Sequence, residues 1–121
     1  MAVTGIGGFF FRCKDPKAVA AWYLEHLGVG AHEGSWLWPQ EAGPTVFAPF
    51  KADSDYFAAD KAFMLNLRVT GLVEMLERLR AAGIEVIEKD EWNATPEIGR
   101  FARIHDPEGT PIELWEPPTQ A

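Results

Sequence analysis

Six polar side chains lie inside otherwise apolar stretches, and any chemistry in this chain should start from them. They are Arg12 in IGGFFFRC, Asn66 and Arg68 in FMLNLRV, Arg103 and His105 in RFARIH, and Glu113 in PIELW. A guanidinium fork suits a carboxylate or phosphate, so Arg12, Arg68 and Arg103 could receive an anionic group. They could equally balance Glu113 or reach solvent at a rim. A carboxylate in a partly buried strand is costly unless paired or protonated. Glu113 therefore reads as an acid–base group, a ligand contact or one half of an ion pair with those arginines. His105 could move a proton near neutral pH, or cap a turn, or stand exposed. His26 and His32 read as solvated. Cys13 reads as a small core residue, with no base beside it to make it a nucleophile. Other chemistries lack their residues: there is no CxxC, GxSxG or HExxH, and GIGG precedes a strand where a phosphate loop would open a helix.

The elements that must carry these side chains form a repeat. Residues 6–13 read as a strand, and Asp15-Pro16 supplies an N-cap with proline at the first helical position. The helix KAVAAWYLEHL aligns Val19, Trp22, Tyr23 and Leu27, and Gly28 ends it. Strands are expected at 29–31, 35–38 and 45–48. The second half repeats this order: a strand at 63–69, then Thr70-Gly71 opening the helix LVEMLERLRAA with Leu72, Met75, Leu76 and Leu79 on one stripe. Gly83 ends that helix, and strands follow at 84–88, 100–105 and 111–115, the last two joined by DPEGT. The acidic residues of that turn are expected at the surface. Arg12 and Arg68 stand 56 residues apart, and Gly28 and Gly83 stand 55 apart. Two whole units at one offset predict a tandem βαβββ repeat: module one at 5–49, a linker at 50–61, module two at 62–117 and a frayed tail at 118–121.

The chain has 121 residues, 47% of them apolar, including five Trp, two Tyr and eight Phe. That suits one domain with a substantial core and excludes a disordered chain. No apolar run approaches the roughly 20 residues of a membrane span. Eighteen acidic against eleven basic residues give a formal charge of −7, which argues against general nucleic-acid binding. The start, MAVTGIGGFFFRCKD, lacks a secretory pattern, and one cysteine cannot form an internal disulfide. A cytoplasmic location is expected.

Three segments, GGFFFRCKDPKAVAAWYLEHLGV, LNLRVTGLVEMLERLRAAGIEV and GRFARIHDPEGTPIELWEP, resemble the vicinal oxygen chelate superfamily across residues 5–117. This superfamily includes glyoxalase I, extradiol dioxygenases, fosfomycin-resistance enzymes and bleomycin-resistance proteins. The resemblance implies an α+β fold: two tandem βαβββ modules forming a cup-shaped, curled mixed sheet with helices outside. It also implies a homodimer in which each cup takes one module from each chain.

The family's metal ligands, two histidines and a glutamate, fall on Gly8, Met64 and Glu113. Glycine offers no donor and a thioether is poor for hard divalent ions, so no metal cofactor is expected. With strand alternation, the resemblance turns Gly8, Phe10 and Arg12 toward the cup, with Met64, Asn66 and Arg68, with Phe101, Arg103 and His105, and with Glu113 and Trp115. Phe9, Phe11 and Cys13 then pack on the first helix. Trp38 and Trp115 are expected as pocket walls. The reading this supports is metal-free binding of a small molecule bearing an anionic or aromatic group. Two alternatives stand beside it. One is a glyoxalase-like lyase/isomerase or dioxygenase using Glu113 as base or metal ligand; the other is a non-catalytic dimeric interaction module.

Overall fold

A computed structural model describes residues 2–30 and 36–118 of the chain. Helix α1 spans Pro16–Leu27 and α2 spans Leu72–Ala81; strands β1 (Leu65–Arg68), β2 (Arg100–His105) and β3 (Pro111–Glu116) form one mixed sheet. The fold is α+β. Strand β3 is central, parallel to β1 and antiparallel to β2.

Both helices begin and end close to where their capping residues predict. Asp15 accepts the Ala18 N–H at 3.1 Å, and Gly28 takes the left-handed conformation (φ 66°) that closes α1. Gly71 has no side chain to cap α2, and the Glu116 carboxylate takes over, accepting the Gly71 and Leu72 N–H groups at 2.8 and 3.2 Å. An acidic group at a helix N-terminus satisfies free donors and meets the favourable end of the helix dipole.

One face of the sheet carries the core. Leu67, Ala102, Ile104, Ile112 and Leu114 bury themselves with Val19 and Tyr23 of α1 and Leu72, Leu76 and Leu79 of α2. The alternation read from the sequence holds here: Ile112 and Leu114 are buried in this core, while their neighbours Glu113 and Trp115 turn the other way.

The β2–β3 hairpin corrects one expectation. Asp106 is only 5% exposed. Its Oδ1 accepts the Glu108 and Thr110 N–H groups, and its Oδ2 accepts the Tyr23 hydroxyl at 2.9 Å. Glu108 accepts the backbone N–H groups of Lys14 and Asp15 at 2.6 and 2.9 Å. Both acidic residues tie the turn to α1; Asp106 is buried, whereas Glu108 keeps part of its surface exposed. Burial, then the hydrogen bond to Asp106, pushes the Tyr23 phenol far above its ordinary value.

The first half departs furthest from the expected pattern. The described residues of 6–13, 29–31, 35–38 and 45–48 form no strand; Ala31 and Ser35, like His32 and residues 119–121 of the expected tail, lie outside the described residues. Residues 84–88 keep a single bridge, Ile87 to Arg103. A strand is stable only where a neighbour completes its ladder, and these segments meet none within the described chain. The facing of the first segment follows the expected alternation only in part: Phe9, expected on the first helix, is 47% exposed and meets Phe11 and Phe63 instead. Phe11 and Cys13 pack on the core, Phe11 lies edge-on to Tyr23, and Phe10 is 92% exposed.

Candidate functional site

On the sheet face away from the core, register sets Asn66, Glu113 and Arg103 side by side across the three strands. Glu113 is 6% exposed and Arg103 is 7% exposed. Such burial of a carboxylate requires partners. They are the Asn66 Nδ2, donating at 2.7 Å, and the Tyr56 hydroxyl, donating at 2.5 Å. The expected ion pair with an arginine is absent among the described residues, although Arg103 is the cross-strand neighbour of Glu113. Both carboxylate oxygens instead meet neutral donors.

Arg103 sits in a different setting on the adjacent strand. Its guanidinium lies 4.9 Å from the Tyr56 ring centre and 4.8 Å from that of Trp92, a cation over two adjoining aromatic rings whose centres are 6.0 Å apart. Nη1 donates to the Tyr56 carbonyl at 3.0 Å. Nε and Nη2 are buried with no partner among the described residues. An unmade buried donor costs about 1–3 kcal/mol, and more when charged.

Two segments outside the sheet complete the centre. The connector at 50–61 brings Tyr56 over both charges, and Phe50 stands 5.7 Å from the Tyr56 ring. The 3₁₀ turn Asp90–Asn93 brings Trp92, anchored because Asn93 both donates to the Phe101 carbonyl and accepts the Phe101 N–H, as a neighbouring strand would. Burial, then the hydrogen bond to Glu113, pushes the Tyr56 phenol up to about 12. At neutral pH it is a proton donor.

Farther along the same face, Phe101 and Trp115 stack nearly parallel, 6.4 Å apart. The Trp115 Nε1 donates to the Ile98 carbonyl at 2.8 Å. Gly99 makes that closeness possible, since a Cβ there would lie 2.4 Å from the Glu116 carbonyl oxygen. Arg68 donates to the carbonyls of Pro44 and Glu41 at 2.5 and 2.8 Å, tying the first-half segment to β1.

The structure therefore gathers Asn66, Arg103 and Glu113 into one centre, with Phe101, Trp115 and Arg68 beyond it on the same face. Phe10 and Trp38 are exposed and Met64 lines a separate groove of about 480 Å³, with Phe50, Phe57 and Phe63. Arg12 lines a smaller cleft of about 180 Å³ with Asp60, Lys61 and Glu108. His105 is exposed, and His26 lies against Trp22 at 5.4 Å between ring centres. Partial burial, then the carboxylates of Glu108, Asp106 and Asp15, push the Cys13 thiol up, which suits a packing role.

Sequence reasoning placed Tyr56 in a linker and so missed it. The available signal was aromatic density, since FKADSDYF carries three aromatic residues in a segment expected to be irregular.

The donor set does not fit a divalent metal ion. Gly8 has no donor, Met64 offers a thioether, and the two oxygens of Glu113 are already accepting hydrogen bonds. Among the described residues, no three His, Cys, Asp or Glu side chains cluster as a metal site would need. No described helix is long and apolar enough to cross a membrane.

Residues 8–115 match the family described as glyoxalase-like domain. No curated protein matches the chain. Among solved structures, the crystal structure of TnmS3, an antibiotic binding protein from Streptomyces sp. CB03234, is similar: 25% identity, 97% of this chain and 98% of that chain covered, TM-score 0.61.

Proposed function

Because the chain belongs to the glyoxalase-like domain family, within the vicinal oxygen chelate superfamily, we propose that it binds a small organic molecule on the Glu113 face without a metal ion. The observation that carries this reading is the polar centre itself. One buried carboxylate held by neutral donors sits beside one buried guanidinium that lies against two adjoining aromatic rings. A few fixed polar groups set in aromatic walls are what a small-molecule site requires. The whole-length likeness to an antibiotic binding protein supports it.

The binding unit in this reading is a cytoplasmic homodimer. Module one of one chain (5–49) and module two of the other (62–117) would close each cup, bringing Phe10, Arg12 and Trp38 toward Met64, Arg68, Phe101 and Trp115. Val3, Ile6, Phe10, Trp36, Val46 and Phe47 are all exposed in the first half, an apolar load that a second copy would cover. A lyase, isomerase or dioxygenase reading is weaker. Glu113 would have to serve as base with the Asn66 amide held on one of its oxygens, or as metal ligand with only Gly8 and Met64 at the family's other ligand positions.

The test is a small-molecule screen read by tryptophan fluorescence, with elemental analysis of protein purified without chelator or affinity-tag metals. Saturable quenching by at least one compound, with metal well below stoichiometric, is expected. A screen without any saturable ligand overturns the binding reading. Stoichiometric metal that survives dialysis overturns the metal-free part.

A further inference from the structure

Tyr56 occupies the polar centre in the manner of a bound molecule. Its hydroxyl donates to Glu113, its ring lies on the Arg103 guanidinium, and its carbonyl takes one of the guanidinium's donors. Yet the fit is incomplete, because Nε and Nη2 of Arg103 stay buried and unpartnered among the described residues. Tyr56 also comes from an irregular connector rather than from the sheet, so its removal breaks no ladder. Resting on the small-molecule reading above, we infer that Tyr56 is a displaceable occupant of the site. The ligand that takes its place is an aromatic ring carrying both a hydroxyl and an anionic oxygen.

Each requirement on that ligand comes from one atom set. Glu113 accepts, so the ligand must bring a hydroxyl in place of the phenol of Tyr56. Arg103 presents two open N–H groups, which a carboxylate or other anionic oxygen can accept together. The guanidinium lies over the Tyr56 and Trp92 rings, which touch each other at 6.0 Å between centres, and a planar ligand would replace Tyr56 beside Trp92. The groove of about 480 Å³ offers a route, since its wall includes Phe50, Ser54 and Phe57 of the same connector. Lifting that connector joins the groove to the polar centre. The net charge of −7 slows the approach of an anion without altering the local fit.

A self-occupied site lowers apparent affinity by the fraction of molecules in which it stands open, so removing the occupant must tighten binding. A tyrosine that instead formed part of the pocket wall would have the opposite sign. The experiment is calorimetric titration of the full chain with 4-hydroxybenzoate, benzoate and phenol. In the wild type, 4-hydroxybenzoate should bind more tightly than either probe that lacks one of its groups. Tyr56→Ala should tighten 4-hydroxybenzoate by about tenfold, and Tyr56→Phe by a few-fold, through release of Glu113. Arg103→Gln placed in the Tyr56→Ala background should weaken it by about tenfold.

Weaker or unchanged binding in Tyr56→Ala, or equal affinity for all three probes, overturns the proposal. If the alanine variant melts early, Tyr56→Phe carries the same test of sign. Failure of all three probes on these variants, while other compounds still quench the wild type, overturns this proposal alone. Failure of every compound on the wild type overturns the binding reading as well.

Discussion

The two halves of the chain carry the same local pattern, a strand-like run, a capped helix and further short strand-like runs, and they meet different fates. In both halves the helix forms where its caps place it. Among the described residues, only the second half builds a sheet. A helix closes its hydrogen bonds within itself, so aspartate, proline and glycine at the right offsets suffice. A strand leaves every donor and acceptor to a neighbour. Residues 65–68, 100–105 and 111–116 have such neighbours within the described chain, and the first-half segments do not. Similar sequences thus diverge on whether a partner lies within reach.

The largest effect that tests this contrast is a core truncation on each side of it. Leu114→Ala, on the central strand with no exposure, should cost about 2–5 kcal/mol in urea unfolding. Phe10→Ala, from the same kind of run in the first half, should change monomer stability by less than about 0.5 kcal/mol. Its cost should grow with protein concentration if a second copy covers that residue. A large, concentration-independent cost for Phe10→Ala would erase the contrast.

Next in size is the link that binds the halves together. Tyr23→Phe removes a buried hydrogen bond to Asp106 and should cost about 1–3 kcal/mol. The Asp15→Ala loss should be smaller, about 1 kcal/mol for an N-cap. Equal losses at these two positions would mean that the first helix stands on its own caps rather than on the hairpin.

The smallest expected effect is a pH slope. Tyr56 holds its proton more firmly when folded, up to about 12, than an unfolded tyrosine does near 10. Its contribution is therefore complete below about pH 10 and is lost as pH rises toward 12, since the unfolded chain releases that proton first. Urea midpoints measured from about pH 9 to 11 should fall less steeply in Tyr56→Phe than in the wild type. Parallel slopes would place the phenol outside the folded centre.

Much of this was legible in the residues. Alternation in PIELW assigned Glu113 and Trp115 to one face and Ile112 and Leu114 to the other, because a central strand with one aliphatic face packed on helices has no freedom to slip. Caps marked both helices. What stayed hidden was Tyr56 on Glu113, 57 residues away along the chain. Periodicity orients side chains within an element, and an irregular connector has no period, so its direction is decided by tertiary contacts alone. The unpaired first half escaped for the converse reason: β-branched and aromatic runs report a surface fit for a sheet, not the presence of a neighbouring strand.

The clasp between Glu108 and the backbone of Lys14 and Asp15 joins positions 94 and 93 residues apart. A ribosome delivers the two backbone donors first and their carboxylate only after that whole interval. Until the β2–β3 hairpin has emerged, α1 has neither the carboxylate that receives its entry nor Asp106 to receive Tyr23. Docking of the first helix thus waits for the hairpin, and the aromatic residues around it stay in the open while the intervening chain is made.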